Sequence, residues 1–213
     1  MKAPLVLRLK KEGHKRIAKA QDLIIQEVYR AFGTGVLHGG TAVWRCYGGN
    51  RFSEDVDMYV VRDLEKLQVL FEHLKKRGFS IIKKKVGERA FYSVLELDRV
   101  QVRFEALFKR VHGSLKEYES VDGNFFMVYT LTPEELIKEK VEAYLNRRKI
   151  RDLYDVFFLL GHVKAIGPVM ECLGRLIKQF QQPVDKKELK VLIFEGIIPD
   201  DQKLLEYIKR KAG

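Results

Sequence analysis

One change of pattern divides this chain. Up to about Thr130, short runs of alternating apolar residues are separated by glycine turns; from Thr132-Pro133-Glu134-Glu135 onward the apolar spacing is helical to the end. Strand side chains repeat every two residues and helix side chains about every 3.6, so one element cannot carry both patterns. The expected class is therefore α+β, with a mixed α/β domain over residues 1–130 and a helical domain over 131–213. Thr132 reads as an N-cap, Pro133 belongs in a first turn, and Glu135 stands at the capping-box position. Helical pattern then runs over about 134–148, 151–162, 168–181, 185–195 and 200–211.

The first half has its own punctuation. Ile17, Leu23, Ile24, Val28 and Tyr29 predict an amphipathic helix over 13–31. Val36-Leu37-His38 is a short strand, Gly39-Gly40 turns the chain, and Thr41 to Tyr47 is a short helix stopped by Gly48-Gly49-Asn50. Asp55 to Val61 is the next strand, with Val56, Met58 and Val60 facing away from the acids. Asp63 caps a helix that Gly78 closes. Residues 79–86 form a strand; 90–97 and 100–108 form a hairpin about Asp98-Arg99. Residues 109–124 read as irregular and 125–129 as a last short strand. The run Lys83-Lys84-Lys85 fits a solvated strand edge or contact with a phosphate backbone.

Composition narrows the partners. The net charge is +11, and the first 130 residues hold 24 Lys and Arg against 16 Asp and Glu. That excess favours an anionic partner such as RNA, DNA or a nucleotide. Cys46 and Cys172 form no ligand spacing, and the five histidines are scattered, which argues against zinc. No apolar run approaches the roughly 18 residues that span a bilayer, and Met1 to Arg16 reads as neither a signal peptide nor an anchor. The expectation is a cytoplasmic protein with no membrane contact.

The chemistry concentrates in Leu37–Val60, LHGGTAVWRCYGGNRFSEDVDMYV. Backbone N–H groups of a glycine turn at a helix start can grip phosphate oxygens, and Thr41 adds a hydroxyl. Asp55 and Asp57, two apart on a strand, lie on one face and can hold Mg²⁺ against that phosphate. Nucleotidyl transfer needs these parts: an NTP held with its α-phosphorus open, and two divalent ions roughly 4 Å apart bridged by carboxylates. Glu105 fits as the third carboxylate, since it shares the polar face of its strand with Gln101 and Arg103; Glu96 competes for that place. In the helical half, Lys140, Tyr144, Arg147, Arg151 and Asp155 are spaced 4, 3, 4 and 4, which on a continuous helix gives one polar stripe. That stripe is either an ion-pair ladder on a solvated face or a wall of the site, with Lys140 on the triphosphate and Asp155 near the nucleotide or holding a basic residue. Asp152 either caps the following helix or orients Arg147 or Arg148.

The ordered set of a GG turn, a short helix and a DxD strand resembles the signature of the DNA polymerase β-like nucleotidyltransferase superfamily. Within it, Gly39, Gly40, Thr41, Ala42 and Val43, then Arg51, Phe52, Ser53, Asp55, Val56 and Asp57, resemble the first motif of the AbiEii/AbiGii toxin family. Val43 stands where that family usually has Leu. Lys140, Ala143, Arg147, Arg151, Asp152, Tyr154 and Asp155 are similar to its second motif. The resemblance covers roughly residues 25–162 and implies the nucleotidyltransferase fold, a mixed sheet with flanking helices followed by a helical bundle. It also implies an enzyme with Asp55, Asp57 and Glu105 as metal ligands, two Mg²⁺ ions and an NTP substrate. The expected nucleotide contacts are Gly39, Gly40, Thr41, Arg51, Ser53, Lys140, Arg147 and Asp152, with Lys140 and Asp155 also catalytic. The acceptor implied is the tRNA 3′ end, and a cognate antitoxin is implied as partner. Two rival readings stay open: a non-catalytic nucleotide- or RNA-binding module, and NMP transfer to a protein or small-molecule hydroxyl.

Overall fold

The computed structural model describes residues 3–213. Seven strands form one mixed sheet: β1 (Val36–His38), β2 (Val56–Val60), β3 (Ser80–Val86), β4 (Ala90–Leu97), β5 (Val100–Phe108), β6 (Ser114–Glu119) and β7 (Phe125–Thr130). Their spatial order is β3-β4-β5-β2-β1-β7-β6. The β2–β5 and β1–β7 pairs are parallel; the other four are antiparallel. The hairpin boundaries fall where the sequence puts them, and Asp98 and Arg99 adopt φ of 49° and 64° in the tight turn. Residues 109–124 depart from expectation. They contain β6, whose Tyr118 is fully buried, so one inward residue among polar neighbours recruits the segment to the sheet edge.

Four helices accompany the sheet: α1 (Leu5–Arg8), α2 (Glu12–Phe32), α3 (Gly39–Tyr47) and α4 (Leu64–Lys76). α2 and α4 cover one sheet face through Ile24, Ile25, Val28, Leu67, Leu70 and Leu74, all buried. Val56, Met58 and Val60 point into that layer, which turns Asp57 and Tyr59 to the opposite face. Asp63 caps α4 by accepting from Lys66 N–H, as its position predicts.

The remaining helices are α5 (Pro133–Arg147), α6 (Ile150–Leu159), α7 (Gly167–Lys178), α8 (Leu189–Leu192) and α9 (Asp201–Ala212). Thr132 and Glu135 form the capping box at the start of α5. The stretch expected to be helical over 185–195 holds only a 3₁₀ turn and the short α8. The polar stripe is not one continuous helix either: Arg148 adopts a left-handed φ of 51° and breaks it between α5 and α6. Tyr144 leaves the stripe altogether. It is fully buried, donates to the Gln181 carbonyl at 2.6 Å and stacks on Phe180.

Two features bring the helical half to the sheet. Ile137, Val141 and Leu153 belong to the same apolar cluster as the sheet and α2. The segment after α8 also pairs with the loop after α3: Phe52 N–H donates to the Leu192 carbonyl at 2.8 Å, and Phe194 N–H to the Asn50 carbonyl at 3.1 Å. That pairing fixes the backbone of Arg51. No helix among the described residues is long and apolar enough to cross a membrane.

Candidate active site

A cavity of about 180 Å³ lies between the open sheet face and the α5–α6 pair. Gly40, Arg51, Ser53, Asp55, Asp57, Glu105, Lys140 and Arg147 all line it, as the sequence reading expects, together with Arg103 and Arg151. Gly39, Thr41, Asp152 and Asp155, also expected at the site, are not among its lining residues.

The sheet supplies the acids. Asp57 on β2 is opposite Glu105 on β5 in parallel register and opposite His38 on β1. Asp55 stands just before β2, not within it as expected. Burial pushes the Asp57 carboxyl above its usual range, and the neighbouring Asp55 charge adds to this. Glu105 is raised in the same way, by burial first and then by Asp57 and Asp55. Asp55 has a counter-ion: Arg103 grips it through Nε and Nη2, each at 2.7 Å. Among the described residues no three His, Cys, Asp or Glu side chains stand close enough together to hold a metal. The donor chemistry nonetheless suits a hard divalent cation, being all carboxylate oxygen, and two of the acids stay raised despite the cationic side chains near them.

The glycine turn fits tightly between these acids and the cations. Gly39 has φ of 70°, the left-handed region, and a Cβ there would strike the Asp57 carboxylate. A Cβ on Gly40 would come within 2.6 Å of both Arg51 Nη2 and Ser53 Oγ. Helix α3 begins here with no side-chain cap on its first N–H groups, and its Gly40 lines the cavity. Thr41 faces elsewhere. Fully buried, its hydroxyl donates to the Asp55 carbonyl, so it pins the approach to β2. Gln21 of α2 completes that anchor by donating to the Ser53 carbonyl at 2.9 Å.

The helices supply the cations. Asp155, on α6, is fully buried and accepts from Arg51 Nε and Nη2, both at 2.6 Å, while Lys140 Nζ lies 2.8 Å away. Burial alone would raise its carboxyl, but Arg51 and Lys140 hold it below the usual range. Asp152, equally buried, accepts from Arg147 Nε at 2.7 Å and Nη2 at 2.8 Å. These two acids thus sit beneath the cations and aim them at the cavity. Arg151 also lines it and pairs with no carboxylate among the described residues.

Three contributors escape the sequence reading. Arg103 is recognisable in hindsight from the alternation Gln101, Arg103, Glu105, which puts it on the acid face. Glu139 accepts from Tyr59 Oη at 2.6 Å and lies 3.1 Å from His38 Nδ1, and the His38 ring stacks on Tyr59 with centroids 4.1 Å apart. This cluster borders the acids and holds His38 in place. Gln21 was detectable only as a polar residue within the buried stripe of a helix. Both cysteines are free and buried, and burial pushes the Cys46 thiol up to about 12.

The family described as nucleotidyl transferase AbiEii toxin, type IV TA system, matches residues 30–207. That match continues well beyond the second motif, into the segment that holds Arg51. No curated protein gives a significant match. Among solved structures, the nucleotidyltransferase toxin MenT4 from Mycobacterium tuberculosis H37Rv is 16% identical, with TM-score 0.64, covering 94% of this chain and 82% of that one. JHP933 from Helicobacter pylori is 19% identical, with TM-score 0.66, covering 95% of this chain and 91% of that one. At these identities the likeness is one of fold.

Proposed function

This chain belongs to the AbiEii nucleotidyltransferase toxin family, and from that premise we propose that it moves a nucleoside monophosphate from an NTP to the 3′ hydroxyl of an RNA, with the tRNA 3′ end as acceptor. The observation that carries this reading is the meeting of Asp55, Asp57 and Glu105 with Arg51, Ser53, Lys140 and Arg147 around one cavity. Residues 1–130 act as the catalytic half, and 131–213 form the helical domain that supplies the cationic wall.

The start of α3 at Gly39 and Gly40, with Ser53, Arg51 and Lys140, receives the β- and γ-phosphates. Asp155 fixes Arg51 and Lys140 for that contact, and Asp152 fixes Arg147; both acids are positioning residues. Asp55, Asp57 and Glu105 would hold two Mg²⁺ ions, which when bound neutralise charge at the α-phosphate and acidify the acceptor hydroxyl. The new bond joins the acceptor oxygen to the α-phosphorus; the α–β phosphoanhydride bond breaks, pyrophosphate leaves, and the hydroxyl proton is lost to water. Arg103 must release Asp55 before that carboxylate can ligate a cation. A cognate antitoxin as partner rests on family membership alone.

The test is incubation with each α-labelled NTP, Mg²⁺ and total tRNA. Label should appear on tRNA with one or more NTPs and vanish with Asp57→Ala. Absence of transfer overturns the reading, and label on protein or on a small molecule redirects it to another hydroxyl.

A further inference from the structure

The three successive lysines of β3 do not share one surface. The β3–β4 register shifts between Ile81 and Lys83, which leaves Ile82 as an extra residue, 54% exposed. A bulge of this kind re-aims the side chains that follow it. Beyond it, Lys83 stands opposite Val94, Lys84 opposite Ser93 and Lys85 opposite Tyr92. Ser93 is buried on the face packed by α2 and α4, and Lys84 accordingly reaches the Phe71 ring of α4, with Nζ 4.1 Å from its centre. Lys83 and Lys85 take the open face, where Lys83 Nζ lies 5.4 Å from the Tyr92 ring centre. Without the bulge both would have pointed the other way.

The open face then reads as one continuous rung. Lys85 pairs with Tyr92, Tyr92 with Glu105, Glu105 with Asp57 and Asp57 with His38, across five strands. A groove of about 570 Å³ follows its outer part, lined by Lys85, Glu88, Arg89, Tyr92 and Glu105. Glu105 also lines the cavity between the sheet and the helices. The two depressions therefore share Glu105, one reaching it from the helical wall and the other from the sheet edge.

We propose that this groove over β3 and β4 holds the acceptor: a single-stranded polynucleotide whose 3′ end stops at Glu105, with a base on Tyr92 and backbone phosphates against Lys85 and Arg89 in the groove and Lys83 beside it. The inference rests on the nucleotidyl-transfer reading above and adds the direction from which the acceptor enters. Repeated cations beside an aromatic ring suit a strand whose phosphates recur and whose bases all present a stackable face. Glu88, an exposed acid at the rim, is the one lining charge that opposes it outside the catalytic set. A protein acceptor would have no need of this repeat of charge.

The test compares two charge reversals on the full chain. Lys83→Glu with Lys85→Glu alters the groove and the face beside it; Lys75→Glu with Lys76→Glu makes the same charge change on exposed positions of α4, across the sheet. Binding of a fluorescein-labelled single-stranded RNA with a free 3′ hydroxyl is followed by anisotropy at several salt concentrations. NTP binding is measured by calorimetry, and transfer to tRNA is assayed in parallel. The groove pair should weaken RNA binding at least about 10-fold and lower the salt slope by roughly 1.4, the share of two phosphate contacts. The α4 pair should change binding less than about 2-fold, and both should bind NTP like the parent. Tyr92→Ala should cost about 5-fold or more from lost stacking. Equal weakening by both pairs, or none by the groove pair while the parent binds and labels RNA, overturns the groove and leaves the transfer reading intact. A parent that neither binds nor labels RNA overturns both.

Discussion

The floor and the wall of the cavity use the same chemical group in opposite ways. On the sheet, Asp57 and Glu105 face the cavity with carboxyls raised first by burial and then by neighbouring carboxylates, Asp55 acting on Asp57 and both aspartates on Glu105. On α6, Asp152 and Asp155 are more deeply buried, yet each lies under a guanidinium, and Arg51 and Lys140 hold Asp155 below the usual range. Burial therefore does not by itself set the carboxyl; close cations reverse its effect at Asp155 and do not at Asp57. The wall acids already have their cations. On the floor Asp55 is paired with Arg103, while Asp57 and Glu105 stay raised, which leaves these two as the acids that an added cation would relieve most.

The sharpest way to break this comparison is to remove one acid from each side. Asp57→Asn should reduce transfer by about 10²–10³-fold or more while leaving the melting temperature of the metal-free protein unchanged or higher, because it removes a charge that burial disfavours. Asp155→Ala should abolish transfer and also destabilise by roughly 3–5 kcal/mol, since it strands Arg51 and Lys140 inside the protein. Thermal melts in EDTA beside the labelling assay check both, and a melting loss for Asp57→Asn as large as that for Asp155→Ala would erase the distinction.

Acidity gives a second, smaller separation. Asp155 has a depressed carboxyl in the folded state, so its contribution is fully present above the ordinary carboxylate range and is lost as pH falls through the lowered value. Asp57 is raised, so its penalty is absent below the ordinary range and complete once pH exceeds the raised value. Denaturant titrations from strongly acid pH, below the ordinary carboxylate range, to neutral pH should show Asp155→Asn losing most at neutral pH and converging on the parent only at the acid end. Asp57→Asn should gain over the parent at neutral pH and converge in acid too.

The smallest effect on stability belongs to Arg103. It is exposed and its pair with Asp55 is partly solvated, so Arg103→Ala should shift stability by no more than about 1 kcal/mol. Freed of that pair, Asp55 should bind Mn²⁺ several-fold more tightly, read by electron paramagnetic resonance of the free ion. Unchanged Mn²⁺ affinity would mean that Arg103 and the cation do not compete for Asp55.

Much of this architecture is written locally in the chain. Alternation placed the 90–97 and 100–108 strands, the Thr132 capping box placed α5, and Val56, Met58 and Val60 told which face Asp57 would take. Each depends on neighbours within a turn or a rung, where propensity and periodicity act. β6 was missed because its pattern has one buried residue, and the 185–195 segment was misread because apolar spacing alone does not show that it would pair with another loop.

What the sequence by itself determined is the inventory: the glycine turn, the paired acids, the basic residues of the helical half, and most of the strands and helices in their order. Only tertiary structure decided what each group faces. Arg51 meets Asp155 across 104 residues of chain, and the segment after α8, empty of motifs, holds the Arg51 backbone in place. A one-residue bulge at Ile82 sends two lysines toward the carboxylates and one away. Such partnerships are fixed by which surfaces pack together and which charges find a counter-ion on burial, and these depend on contacts far apart in sequence.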